Sequence, residues 1–164
     1  MIDALLLMYD RNLDYAKRLT ADIADDKFAA EPPGAKAPLN HAAWVIGHLA
    51  HVCDFYGGAL GATGGPTMPK DWGTLFGGSS KPEPGGNYPP KAVLLKALED
   101  GHARIKQLAL QKPAEFWSQP PADEKRRARF PTNAAMAVHI IVNHEAVHLG
   151  QLSAWRRAQG LPAV

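Results

Sequence analysis

His41, Val45, His48, Val52 and Phe55 recur alternately four and three residues apart, the spacing of a helix that buries one stripe in an antiparallel bundle. This stripe constrains the fold more than any other feature, because two histidines stand where aliphatic residues are expected. A buried imidazole without partners costs several kcal/mol. Whatever packs against this helix must therefore satisfy ring nitrogens. The helix is predicted to start at Asn40, a good N-cap residue, and to run to Tyr56, where Gly57-Gly58 stops it.

Three further helices are expected, and no strand alternation competes with them. The first covers Ile2 to Asp25, with Leu6, Tyr9, Leu13, Ala16 and Ile23 inward, and ends before Pro32-Pro33-Gly34. The third opens at Pro90, buries Leu94, Leu98, Ile105 and Ala109, and ends at Pro113. One turn of helix at Glu115-Phe116-Trp117 and a polar loop follow. The fourth runs from a Thr132 cap to Gln159, with Ala137, Ile140, His144, His148, Gln151 and Trp155 inward. Between Gly57 and Pro90, Gly and Pro fill 16 of 34 positions. Regular helix is not expected there, and Trp72, Leu75 and Phe76 are its apolar anchors to the bundle.

The 164 residues suit one domain, residues 1–164, with a single core. A net charge of +2 without a basic stripe excludes a nucleic-acid partner; the run Lys125 to Arg129 reads as a solvated loop. No apolar stretch is long enough to span a membrane. Met1 to Ala24 lacks the basic start of a secretory leader, and the lone Cys53 fits a reducing compartment. A soluble, cytoplasmic protein is expected.

The chemistry concentrates in His144-Glu145-Ala146-Val147-His148. Histidines four apart on a helix project about 40° from one another, so both imidazoles can reach one ion. His48, on the second helix, is the expected third ligand of a divalent metal such as zinc or nickel. The segment matches the H-E-x-x-H pattern of zinc proteases, but no third ligand follows downstream and no sheet is available to align a peptide. Glu145, beside the first ligand, is the candidate base for an open metal position. Gln151, one turn beyond His148, is read as a buried amide that orients a ligand or substrate. Trp44 and Trp155 are candidates to wall the site. His41 lies about 10 Å along the axis from His48, too far to share the ion. His51 is assigned an edge role and His102 is the reserve fourth ligand. His139 is expected to be exposed, pointing away from His144, and Cys53 to be a packing residue.

These residues carry a resemblance. Trp44-Val-Ile-Gly-His48-Leu-Ala-His together with His144-Glu-Ala-Val-His148-Leu-Gly-Gln-Leu-Ser-Ala-Trp-Arg156-Arg157 is similar to the DinB-like superfamily of metalloenzymes. Trp72 to Ser80 and Tyr88-Pro89 resemble members with a long second crossover. The resemblance implies a four-helix bundle of up-down-down-up topology with that crossover between helices 2 and 3. It also implies a metal on His48, His144 and His148, and a homodimer. Characterised relatives include transferases and an isomerase that use a low-molecular-weight thiol such as bacillithiol or mycothiol.

Three functions stay open on the sequence. The first is a metal-dependent thiol S-transferase acting on a small molecule, with the thiol supplied from outside and Arg156 or Arg157 holding its carboxylate. The second is a non-catalytic bundle that binds metal or a small molecule. The third is a metal-dependent hydrolase.

Overall fold

The computed structural model describes residues 2–164, and among them the chain is helical with no strand. Four long helical stretches carry the core. These are α1 (Ile2–Thr20), α2 (Ala42–Ala59), α4 (Lys91–Leu110) and a C-terminal stretch. The last comprises α7 (Asn133–Ala137), a π-helical segment (Val138–His144) and α8 (Glu145–Ala158). Short helices α3 (Trp72–Phe76), α5 (Ala114–Ser118) and α6 (Glu124–Arg127) lie in the connections. Packing runs α1 on α4, α4 on α2, α2 on α8 and α8 on α1, a closed ring of neighbours around one core. No helix among the described residues is long and apolar enough to cross a membrane.

Helix α1 ends at Thr20, not Asp25. The Thr20 hydroxyl bonds back to the carbonyls of Ala16 and Lys17 at 2.9 and 3.1 Å, competing with the next turn. The break leaves Asp22 free to pair with Arg156, while Ile23 still reaches the core from the following turn. Helix α2 starts one residue later than expected. His41, not Asn40, caps it, its Nδ1 accepting the Trp44 N–H at 3.2 Å. The helix also runs through Gly57-Gly58 to Ala59.

The stripe on α2 is a partial guide. Every residue from Ala42 to Ala50 is buried, because α3, α4 and α8 all pack against this helix. Phe55, assigned inward, is 44% exposed. A straight helix drifts about 20° per heptad against a 3.5-residue repeat, so two heptads carry Phe55 off the seam. The Arg126 guanidinium covers its ring at 4.0 Å. The basic run expected as loop thus includes a helical turn packed over an aromatic.

The other boundaries agree more closely. Pro90 precedes α4, whose buried residues include Leu94, Leu98, Ile105 and Ala109. The Thr132 hydroxyl accepts the Ala135 N–H at 3.1 Å. Within the crossover, Trp72 and Phe76 are buried and Leu75 is half-buried, but they form the turn of α3 that the Gly and Pro content argued against. The Phe76 ring lies directly over Gly47, where a Cβ would overlap it. A second close approach joins α4 to α2, since a Cβ at Gly101 would lie 2.6 Å from Cys53 Cβ.

Candidate metal centre

The two halves of the chain bring His48, His144 and His148 together. Their ring centroids lie 5.2, 4.6 and 4.5 Å apart in the pairs 48–144, 48–148 and 144–148. One donor atom from each lies within 4.8 Å of the others, a grouping that can hold a metal ion.

His48 is the most tightly set. Its Nδ1 lies 2.7 Å from the Phe76 carbonyl oxygen, which can only accept, so Nδ1 carries the hydrogen and Nε2 presents its lone pair. That Nε2 stands 3.3 Å from His144 Nε2. Two nitrogens on one tetrahedral zinc, each at about 2.0–2.1 Å, are about 3.3–3.4 Å apart, so the separation suits a shared ion. The Trp44 indole stacks flat on the His48 ring at 4.7 Å and 6°, and its Nε1–H donates to Ser80 Oγ at 2.9 Å. The crossover therefore fixes the ring through Phe76 and holds its aromatic wall through Ser80. The Nδ1 atoms of His144 and His148 are buried without partners.

Electrostatics keep the rings neutral. Burial lowers His144 to about 3, with the neighbouring His148, His48 and His139 adding to the shift. Burial and then His48 lower His148 to about 4, opposed by the Gln151 amide. Burial also lowers His48, against the Phe76 hydrogen bond. Neutral imidazole is the form that ligates a divalent ion.

Several expected site residues stand elsewhere. Glu145 does not serve the open position. It is buried on the core side of α8, its Oε1 2.8 Å from His102 Nε2, in a separate group of potential ligands with His102 and Cys53. His102, the reserve ligand, belongs to that second group. Gln151 is exposed, not buried, and its amide oxygen accepts from Asn40 Nδ2 at 2.8 Å, but its side chain stays beside His148, whose lowered pKa it opposes. Trp155 is buried away from the histidines, with Nε1–H donating to the Ala30 carbonyl at 3.0 Å. Arg156 is 1% exposed, paired with Asp22 and donating to the Leu19 and Pro162 carbonyls, so it has no group left for a ligand.

His139 departs from its expected direction. It is half-buried, with its ring 6.1 Å from His144. Residues five apart face opposite ways on an α-helix, but i→i+5 bonding in the π segment brings them to one side. Asn12 of α1 supports that segment by donating to the Ile141 and Val142 carbonyls at 3.4 and 3.3 Å. His41 joins no ion site; beyond its capping role, its Nε2–H donates to the Glu83 carbonyl at 3.3 Å. The Phe76 carbonyl was not foreseen, since a backbone oxygen leaves no mark in side-chain spacing.

A cavity of about 560 Å³ opens beside the C-terminal half of α2. His51, Phe55, Pro66, Arg126 and Met136 are among its lining residues. His51 is also close enough to His48 to disfavour its charging.

The family model described as the DinB superfamily fits residues 8–152. No curated protein matches the chain.

Proposed function

The chain belongs to the DinB superfamily, and on that footing we propose that it holds a divalent metal on His48, His144 and His148 and uses it to transfer a thiol. The observation that carries this reading is the lone pair of His48 Nε2, aimed at His144 by the hydrogen bond from Nδ1 to Phe76. The ring of helix pairings supports a four-helix bundle, and the up-down-down-up topology is what the resemblance implies.

Three neutral nitrogens leave a zinc or nickel ion positively charged with room for exogenous ligands. A bound ion would lower the pKa of a coordinated thiol and raise its nucleophilicity near neutral pH. The thiol is a small molecule from solution, because Cys53 is buried and hydrogen-bonded to Tyr9 at 3.1 Å. Its proton goes to solvent, its sulfur bonds to the electrophilic carbon, and the leaving group departs with the bonding pair. His48 and its Phe76 brace keep the donor set rigid, and Trp44 shields one side from water. With Arg156 committed to Asp22, the exposed Arg157 is the arginine left to hold a carboxylate of the thiol. A homodimer, which the resemblance implies, and the cytoplasmic location expected from the sequence belong to this reading.

The test is conjugation of monochlorobimane by metal-loaded protein across a panel of low-molecular-weight thiols. Turnover that His148→Ala abolishes supports the proposal. No thiol giving a rate above the His148→Ala control contradicts it.

A further inference from the structure

The most buried polar cluster in the molecule is not the histidine triad. Cys53 of α2, His102 of α4 and Glu145 of α8 are each at most 3% exposed, and one donor atom from each lies within 4.8 Å of the others. Tyr9 of α1 completes the group. Its hydroxyl is 3.1 Å from Cys53 Sγ, and its ring stacks on His102 at 3.6 Å and 12°. Each of the four long helical stretches thus contributes one donor.

Internal hydrogen bonds do not exhaust this cluster. His102 Nε2 pairs with Glu145 Oε1 and Tyr9 with Cys53, but His102 Nδ1 has no partner and Glu145 Oε2 has only the nearby Asn12 amide, which is already turned to the Ile141 and Val142 carbonyls. Leaving a buried carboxyl oxygen and a ring nitrogen unsatisfied is costly, and either apolar replacement or a bound ligand would remove the cost. A divalent cation fits the chemistry. A thiolate, a carboxylate and a neutral imidazole balance its charge, so the loaded site carries no net charge into the core. Mixed sulfur, nitrogen and oxygen donors favour zinc or cobalt over magnesium or calcium.

We propose that Cys53, His102 and Glu145 form a second, enclosed metal site for a thiophilic divalent ion, with Tyr9 beside it. Loading exchanges two protons for one ion: the thiol proton of Cys53 and the proton held between His102 and Glu145 leave to solvent. Donors on one ion sit roughly 3.3–3.7 Å apart, so the side chains draw inward on loading. Because all three ligands are buried, the ion enters as the chain folds and resists chelators afterwards. The site then ties α2, α4 and α8 together, a structural role separate from chemistry at the triad.

The test uses the full chain, produced without a tag in cells grown with cobalt(II) and then washed with chelator. A thiolate ligand gives cobalt a near-ultraviolet charge-transfer band that an all-histidine site lacks. The expected result is that band in washed wild-type protein, retained in His148→Ala and absent in Cys53→Ala. Glu145→Gln, close in shape to the native residue, gives a second reading if Cys53→Ala does not fold; its retained cobalt falls at least tenfold. Folded wild-type protein without the band overturns the proposal, as does loss of the band in His148→Ala. Cobalt added back after the wash, taken up by wild type and not by His148→Ala, reports on the triad alone, so the two sites fail independently.

Discussion

The Nδ1 of His48 lies 2.7 Å from the carbonyl oxygen of Phe76, and this bond couples the crossover to the donor set. Phe76 is itself located by its ring on Gly47, the residue before His48. Gly47→Ala is expected to push the ring away and cost about 1–3 kcal/mol of stability. It should also weaken zinc binding, because the carbonyl moves with the ring. Gly101→Ala is the matched control, since it crowds Cys53 instead and leaves His48 in place. Urea unfolding and zinc titration of both variants check the pair of outcomes.

Arg156 is expected to be structural. Arg156→Ala should cost roughly 2–4 kcal/mol, below the figure for a fully buried pair because Asp22 is half exposed. Zinc affinity at the triad should stay at the wild-type value. A loss of thiol-dependent turnover larger than the loss of folded protein would contradict this assignment.

His41 predicts an acid sensitivity of folding. Burial lowers its pKa to about 4, against the hydrogen bond to the Glu83 carbonyl. The unfolded chain, near 6.5, binds the proton more readily than the folded one below that pH, so the contribution is present above 6.5. It is lost as pH falls towards 4, and amounts to at most about 2 kcal/mol between pH 7 and 5. His41→Asn keeps an N-cap acceptor without a titrating ring. Unfolding measured at both pH values should show a smaller drop for His41→Asn than for wild type.

The π segment predicts a register effect. Deleting Val138, which is exposed, should restore α-helical bonding, swing His139 away from His144 and release the carbonyls that Asn12 holds. Thermal melting should show loss of stability, since Ile141 and the residues before it must repack.

The grouping of His48, His144 and His148 was readable because α-helical spacing alone places His144 beside His148 and His48 on a buried face. Thr132 and Pro90 were legible for the same local reason, as each acts within one turn. The inner face of α8 was misread by about one residue position. Its buried stripe is Ile141, Glu145, Leu149, Leu152 and Arg156, joined by Trp155 as expected, and two charged residues in that stripe hide it from any hydropathy pattern. The histidines sit at its edge, which is why His144 and His148 are half-buried and Gln151 reaches solvent. Glu145 and Arg156 found partners on α4 and after α1, and neither partner is near in sequence. His139 was misplaced because a helical wheel assumes α geometry throughout.

Zinc titration into chelator-washed, folded, untagged protein followed by calorimetry tests the triad most directly. Wild-type protein should take up one exchangeable ion per chain. His48→Ala should bind roughly 100-fold more weakly or worse, since even outer partners of a metal ligand are worth 10–100-fold. Wild-type affinity and stoichiometry in His48→Ala would contradict a site shared between α2 and α8.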